Sequence, residues 1–288
     1  MGQSELQTPM TARASLALPL VMMMLTGGPV HGQMARDASP AQVVSMFFEQ
    51  PTFPDEGQYV TGEFAVRSRA APSIGSALPS TARVSSRALD QSDTSAVFAT
   101  AVRQPGGRDA SDWYTYLRKV DGRWKIAAMR TLLLPTIFFR TRDSLTTAPF
   151  LSADGASMLA RMQLVTRSDS ALRELPIAQG AVFRRLVDTF LQQTAVEAVD
   201  DNGRAAPAAA SHSPIVADLS AQLRAAHMGA IYREPDTGGC LFVKIGGAAE
   251  YRVGYVFAVP GCHPPRLDAE SYMYVEAVAP NWYLYKSK

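Results

Sequence analysis

Residues 116–130 read YLRKVDGRWKIAAMR, in which the pair Asp121-Gly122 separates two segments of alternating apolar and polar side chains. An Asp-Gly pair in this setting favours a two-residue turn of the primed type, because both residues accept a positive φ and the turn follows the twist of the strands. Val120 then faces Arg123 across the turn. The stretch therefore predicts a tight antiparallel hairpin.

The register of this hairpin opposes Leu117 to Ile126 and Lys119 to Trp124. Both faces of the predicted hairpin are partly apolar, which is typical of a sheet that is covered on one side and is partly wet, or concave, on the other. One face carries Trp113, Leu117, Trp124, Ile126 and Ala128. The other carries Tyr114, Tyr116, Arg118, Lys125, Ala127 and Met129.

The chain before the hairpin begins with a helix and continues as strands. Ser39-Pro40-Ala41-Gln42 has the residues of a capping box with Pro in the first helical turn, so a helix should begin there. Residues 51–79 are interrupted by Pro, Gly and Ser, which indicates loops with short extended or helical pieces. Strands are predicted over residues 82–88, 96–103, 112–120 and 123–133.

The chain after the hairpin first changes to helical periodicity. Helices are predicted over residues 156–167 and 182–192, and a third begins at Ser213-Pro214. Residues 200–211, DDNGRAAPAAAS, are interpreted as a linker or exposed loop. Short strands are predicted over residues 231–233, 241–245, 252–259, 272–278 and 282–285.

The predicted fold class is therefore α+β. A curved antiparallel sheet with covering helices is followed by a helical segment and by a second small α+β unit with an antiparallel sheet. The predicted units span residues 37–145, 146–213 and 214–288, and residues 1–32 precede them.

The C-terminal residues 274–288, YVEAVAPNWYLYKSK, repeat the spacing of Tyr, Val and Trp seen in residues 116–130. Duplication of one unit is one interpretation. The other is that any amphipathic hairpin with a Trp anchor shows these residue types at alternating positions. The second is favoured, because the remainder of the two halves does not align.

Residues 16–25, LALPLVMMML, form an apolar run preceded by Arg13 and followed by small residues, the arrangement of a secretory signal peptide. A membrane anchor is the alternative, but ten residues at ~1.5 Å each cover about half of a hydrocarbon core of roughly 30 Å. Val30 and Gly32 are the small residues that a cut after Gly32 requires. We therefore expect a periplasmic or secreted protein without stable membrane insertion after cleavage.

The composition limits the classes of partner. A chain with 28 basic and 26 acidic residues carries a formal charge of +2, which is too close to neutral to indicate nucleic acid. The mature length exceeds the usual size of one compact domain and favours two packed units.

Residues 112–130, DWYTYLRKVDGRWKIAAMR, follow ARVSSRALDQSDTSAVFATAV, residues 82–102. Together they resemble the terminal strands of exported nuclear transport factor 2-like domains, the SnoaL-like superfamily, over roughly residues 37–140. The resemblance implies helices over a strongly curved sheet, whose hollow binds small ligands, hosts catalysis or packs against partners. The sequence departs from the family in its short first helix and in residues 51–79, which lack a second clear helix.

The resemblance places candidate ligand-binding residues along the hairpin, namely Trp113, Tyr114, Tyr116, Leu117, Trp124, Ile126 and Arg130. Catalytic members of the superfamily usually hold a carboxylate or His in the hollow. The two predicted strands of the hairpin place no acidic residue at their central positions. Asp55, Glu56 and Glu63 remain as candidate bases from the preceding segment. Asp112 and Asp109 are expected at a solvated loop edge.

Other sites with recognisable spacing are not expected. His212, His227 and His263 lack the paired spacing of a zinc site, and neither a metal nor a cofactor is predicted. Cys240 and Cys262 are the two cysteines of a chain expected to be exported. They flank a predicted hairpin, so a disulfide between them is expected.

The sequence favours an exported, non-catalytic binding module for a small apolar molecule or a protein partner, and a homodimer is allowed. One alternative is a hydrolase or isomerase that uses a carboxylate base in the sheet hollow. The other is a structural envelope protein whose hollow is filled.

Overall fold

The computed structural model describes residues 38–53, 56–68, 73–104 and 110–288. Helices and antiparallel sheets both contribute to this part of the chain, so the predicted α+β class is confirmed. The expected signal peptide, residues 1–32, and the candidate base Asp55 lie outside the described residues.

The described chain begins with α1 (Pro40–Glu49), which starts as predicted. The Ser39 hydroxyl accepts a hydrogen bond from the Gln42 N–H at 3.3 Å, and the Gln42 side chain accepts one from the Ser39 N–H at 2.7 Å. This reciprocal pair satisfies two N–H groups that the helix itself leaves without partners. Short helices follow, namely α2 (Glu56–Tyr59), α3 (Gly62–Ser68) and α4 (Ile74–Ala77).

The first sheet has four antiparallel strands in the order β1-β2-β3-β4. They are β1 (Arg83–Gln91), β2 (Ser95–Arg103), β3 (Ala110–Val120) and β4 (Arg123–Thr131). Asp121 and Gly122 both have positive φ, 53° and 77°, as the primed turn requires. The predicted pairs Val120 with Arg123 and Leu117 with Ile126 are present.

The face assignment beyond Ile126 was wrong at two positions. The register shifts after the pair of Leu117 with Ile126, so that Tyr116 pairs with Ala128 and leaves Ala127 as an extra residue in β4. An extra residue reverses the side-chain alternation that follows it. Ala128 therefore shares the face of Tyr116, and Met129 packs with the cluster that contains Leu117.

The face of the first sheet that carries Trp113, Leu117 and Ile126 is covered by α1 and the short helices, and we call it the helix face. Leu117 is 1% exposed and Ile126 is 0% exposed. The buried residues of this cluster are Val43, Val44, Phe47, Phe48, Phe53, Tyr59, Val60, Ala96, Phe98, Val102, Leu117 and Ile126. Aromatic side chains from α1 occupy the space above these strands.

A layer of helices connects the two sheets. It comprises α5 (Thr136–Thr147), α6 (Ala153–Val165), α7 (Asp169–Ala178) and α8 (Gly180–Leu191). The structure places α6 and α8 where helices were predicted. The sequence did not indicate α5, which is rich in Thr and Arg, or α7, which contains Pro176.

The second sheet has seven strands in the order β10-β11-β9-β8-β7-β5-β6. They are β5 (Ala198–Asp200), β6 (Ala205–Ala206), β7 (Ala230–Glu234), β8 (Cys240–Ala248), β9 (Tyr251–Phe257), β10 (Tyr274–Ala279) and β11 (Trp282–Ser287). Residues 200–211, interpreted as a linker, contain β6 and part of a 3₁₀ helix (Ala208–His212). The helix α9 (Pro214–Ala225) begins after the Ser213 cap, as predicted.

The second Trp-bearing hairpin closes differently from the first. Pro280 and Asn281 form its turn, Asn281 has a φ of 64°, and Ala279 pairs with Trp282. The Trp282 ring lies 5.1 Å from that of Phe183 in α8. The two similar stretches of sequence therefore form hairpins with different turns in two different sheets.

The two sheets share one hydrophobic core. Tyr114 from β3 is fully buried in the same cluster as Leu241, Tyr255 and Tyr274 of the second sheet. We call this side of the first sheet its interface face. Because it packs against the second unit, the first sheet is covered on both sides along β3.

The predicted disulfide is confirmed. Cys240 and Cys262 are bonded, with their Cα atoms 5.2 Å apart. The bond connects the start of β8 to the loop after β9, beside the buried rings of Phe242 and Tyr285.

Candidate functional site

The predicted ligand-binding residues divide between the two faces of the first sheet. Trp113, Leu117, Trp124 and Ile126 belong to the cluster of the helix face. The ring of Trp113 lies 6.5 Å from that of Phe48 in α1. These four side chains therefore pack with the cluster beneath the covering helices, and Trp124 also lines a surface cleft beside Ser39 and Pro40.

The other three predicted residues, Tyr114, Tyr116 and Arg130, point towards the second unit. The Tyr114 hydroxyl donates to Asp169 at 2.9 Å, and the Tyr116 hydroxyl donates to the carbonyl of Met273 at 2.9 Å. The Arg130 Nε donates to the carbonyl of Ala269 at 2.6 Å. These three residues thus connect the hairpin to the helix layer and to the segment that precedes β10.

Of the three candidate bases, Glu63 is the one whose side chain the structure describes. It accepts two hydrogen bonds from the Arg130 guanidinium, one of them at 2.8 Å. The hydrogen bond and the charge of Arg130 lower the pKa of Glu63. An ionised carboxylate held by an arginine is a poor proton acceptor. Asp55 and the Glu56 side chain lie outside the described residues.

A cluster of buried ionisable groups lies between the two sheets, and we call it the Asp112 cluster. It contains Asp112 and Tyr114 of β3, Asp169 at the start of α7 and Lys286 of β11. The Lys286 Nζ lies 2.7 Å from Asp169 and 3.5 Å from Asp112. The N–H of Asp169 donates to Asp112 at 2.9 Å. The exposed fraction is 8% for the Asp112 side chain and 3% for that of Lys286.

This cluster holds two carboxylates against one ammonium group. Burial and the neighbouring charge of Asp169 raise the pKa of Asp112 to about 6, although Lys286 opposes the shift. Burial acts to lower the pKa of Lys286, but the attraction of Asp169 and Asp112 outweighs it, and the net shift is upward. Lys286 therefore stays protonated while Asp112 titrates in a mildly acidic range.

The sequence interpretation of Asp112 was wrong. It was expected at a solvated loop edge, but β3 begins at Ala110, so Asp112 lies within the strand and on the interface face. Lys286 lies beyond the predicted strand of residues 282–285, and a lysine is rarely buried unless it is paired, so its burial was not expected. The alternation along β11 was the available signal, since Leu284 and Lys286 are two residues apart and both are buried.

One cleft of about 490 Å³ opens beside this cluster, and we call it the Lys286 cleft. Its apolar wall is formed by Leu132, Leu134, Phe139, Val165 and Ala171. Its polar lining consists of Ser111, Asp112, Thr131, Arg142, Gln163, Thr166, Arg167, Ser168 and Lys286.

A second cleft of about 460 Å³ lies on the other side of Asp112, and we call it the arginine cleft. It is lined by Arg83, Arg87, Arg103 and Arg173, with Asp112, Asp169, Ser85 and Ser170. Asp112 lines both clefts.

Comparison with protein-family models, with curated proteins and with solved structures found no match for this chain. In the described part of the chain, no three or more His, Cys, Asp or Glu side chains are grouped so that they could hold a metal ion. None of the described helices is both long enough and apolar enough to cross a membrane.

Proposed function

We propose that this protein is an exported binding module that holds, in the Lys286 cleft, a small molecule with an apolar body and an anionic group. The observation that carries the proposal is a cleft whose lining combines five apolar side chains with the buried Lys286 ammonium. Its volume of about 490 Å³ lies within the range of small-molecule sites in proteins.

The apolar wall supports the apolar part of the ligand. The cleft is lined from three segments of the chain by Leu132, Leu134, Phe139 and Val165. Leu132 and Leu134 lie in the segment after β4, Phe139 is in α5 and Val165 ends α6. An alkyl chain or ring that covered them would remove apolar surface from water, at about 25 cal/mol per Å².

The basic side chains support the anionic group. Lys286 remains protonated, and Arg142 and Arg167 also line the cleft. The guanidinium of Arg142 lies over the Phe139 ring at 5.3 Å, so this residue joins the apolar wall to the charged lining. Arg167 has no carboxylate within ion-pair distance in the ranges that the structure describes. A ligand carboxylate or sulfonate would provide that partner.

Isothermal titration of the mature protein with dodecanoate tests the binding proposal, and dodecanol is the uncharged comparison. We expect dodecanoate to bind more tightly than dodecanol. Arg167→Gln should weaken dodecanoate binding about tenfold, which corresponds to about 1.4 kcal/mol. The matched control is Arg185→Gln on the exposed face of α8, which should bind dodecanoate like the wild type. Absence of dodecanoate binding, or equal binding by Arg167→Gln, would overturn the proposal.

The export part of the proposal rests on the apolar run of residues 16–25 and the small residues Val30 and Gly32. The disulfide is compatible with an extracellular location. N-terminal sequencing of the exported protein should find Gln33 as the first residue. Recovery of residues 16–25 in a membrane fraction would contradict this expectation.

A second candidate function is an enzyme that uses a carboxylate base. Asp112 favours it, because this carboxylate lines both clefts and its pKa of about 6 suits proton transfer near neutral pH. A screen for hydrolase and isomerase turnover separates the two functions. An activity that Asp112→Asn abolishes, while dodecanoate still binds, would establish the enzyme.

A further inference from the structure

The arginine cleft concentrates positive charge that the described chain does not neutralise. Arg83 of β1 and Arg103 of β2 are directly paired across the two strands. Like charges at directly opposite positions of an antiparallel pair are destabilising. Arg87 lies further along β1, and Arg173 approaches the same space from α7. Two strands and a helix therefore direct guanidinium groups into one cleft.

The acidic residues around the cleft are already paired. Arg87 Nη1 lies 2.5 Å from Glu276 Oε1, and Arg173 Nε lies 3.2 Å from Glu276 Oε2, so one carboxylate serves two arginines. Asp169 is paired with Lys286. Among the described residues, Arg83 has no acidic partner, and Arg103 donates only a long hydrogen bond of 3.4 Å to Ser170. When the ion-pair partners are included, three carboxylates, those of Asp112, Asp169 and Glu276, face five basic side chains, namely the four arginines of the cleft and Lys286.

We infer that the arginine cleft is a second binding site, for a small oxyanion with two or more negative charges. Guanidinium groups bind carboxylate and phosphate oxygens through two parallel N–H donors, which suits a planar or tetrahedral oxyanion placed between Arg83 and Arg103. Such an anion would also remove the repulsion between these two residues. The hydroxyls of Ser85 and Ser170 line the same cleft and can donate further hydrogen bonds.

This site differs from the Lys286 cleft in chemistry and shares with it, among the lining residues, Asp112 alone. The Lys286 cleft contains the large apolar side chains Leu132, Leu134 and Phe139, whereas the apolar residues of the arginine cleft are the smaller Val84, Ala99 and Ala101. A phosphate compound and a polycarboxylate can both carry the two or more negative charges that the site requires. Pyrophosphate and citrate are therefore used as separate probes, and the tighter binder identifies the source of the anion.

The experiment is isothermal titration of the mature protein at low ionic strength with each probe. We expect at least one probe to bind with a submillimolar Kd, and its affinity to fall as salt is added. The double variant Arg83→Gln/Arg103→Gln should weaken that binding at least tenfold. Arg103→Lys, which keeps the charge and loses the fork, should weaken it less.

The matched control is Arg118→Gln, an exposed arginine near the other end of β3. It should leave the affinity for both probes unchanged, and thermal unfolding of every variant verifies the fold. The inference is overturned if neither probe binds to the wild type, or if the double variant binds as tightly as the wild type. Arg83 and Arg103 do not line the Lys286 cleft, so the double variant should bind dodecanoate like the wild type. This titration therefore tests the two sites separately.

Discussion

Asp112 has an environment that differs strongly from the solvated loop edge at which the sequence placed it. The carboxylate is buried beside Asp169 and Lys286, and its pKa is raised from 3.8 to about 6. A group whose pKa is higher in the folded state binds its proton more tightly there. Its stabilising contribution is present below about pH 4 and is lost as the pH rises through 6.

Replacement of Asp112 by Asn should remove this pH dependence. Between pH 4 and pH 7 the unfolding free energy of the wild type should fall, relative to that of Asp112→Asn, by up to about 3 kcal/mol, at about 1.4 kcal/mol for each pKa unit. Urea unfolding at both pH values measures the difference. Asp188→Asn on the exposed face of α8 is the control and should follow the wild type. Parallel pH profiles for Asp112→Asn and the wild type would contradict the assignment.

Lys286 is the only cation that the structure places within ion-pair distance of Asp112 and Asp169 among the described residues. Lys286→Met removes this cation from two buried carboxylates, and it should destabilise the protein by about 3–5 kcal/mol at pH 7. Adding Asp112→Asn and Asp169→Asn to Lys286→Met should recover part of that loss, because the Asp112 cluster then contains no buried charge.

Chemical denaturation of these variants provides the measurement. Lys288→Met is the control, since Lys288 makes a long, exposed ion pair of 3.8 Å with Glu250. It should cost at most about 1 kcal/mol. If the triple variant is less stable than Lys286→Met alone, the charges are not the cause.

At the scale of the element, local chemistry predicted the turn of the β3–β4 hairpin and the pairs next to it. It did not predict the register beyond Leu117 and Ile126. The Asp-Gly pair determines the turn and the register as far as Leu117 and Ile126. The bulge at Ala127 has no comparable signature in the sequence. It exchanges the faces of Ala128 and Met129 because one extra residue in a strand shifts the alternation of all side chains that follow it.

Gly122 has a φ of 77°, and a Cβ at this position would meet nothing within 4 Å. Gly122→Ala therefore tests the backbone conformation alone. It should destabilise the protein by about 1–2 kcal/mol, because an L-residue in the left-handed region brings its Cβ close to the following carbonyl. Thermal or urea unfolding measures the loss.

Gly57→Ala is the matched control for this substitution. Gly57 also has open space around a Cβ and does not have a positive φ, so Ala should be neutral or slightly stabilising there. Equal effects at the two positions would show that the turn does not require glycine.

The candidate site could not be predicted from the sequence, whereas most of the helices and strands could, because the site joins residues that are far apart along the chain. The capping box at Ser39, the Asp-Gly turn and the helical spacing of α8 all act within about a dozen residues. The Asp112 cluster joins residues from β3, α7 and β11, and no local pattern relates these segments. The sequence therefore assigned the hairpin residues to two faces without showing that both faces are covered by other parts of the chain.

At the scale of the whole molecule, the disulfide should contribute to the stability of the second sheet. Cys240 and Cys262 are separated by 22 residues, for which loop entropy predicts about 3 kcal/mol. The double variant Cys240→Ala/Cys262→Ala should lose about that much in urea unfolding. Mass measurement of non-reduced, exported protein should show two hydrogens fewer than the reduced form, and two freely alkylated thiols would contradict the bond.

The two Trp-bearing hairpins also meet at this scale. Tyr116 donates to the backbone of Met273, and the rings of Tyr114 and Tyr274 lie 5.1 Å apart. The two hairpins therefore pack against each other at the residues where the similar stretches begin. Each hairpin uses the tyrosines at its start to face the other, while Trp124 and Trp282 belong to separate clusters.

The shared core has a consequence for how this chain could be divided. Residues 38–131 expressed by themselves would expose Tyr114, Tyr116 and an unpaired Asp112 along one whole side of a four-stranded sheet. Such a fragment would attract other chains through that surface and would precipitate. The smallest fragment that keeps the interface face of the first sheet covered therefore contains both sheets.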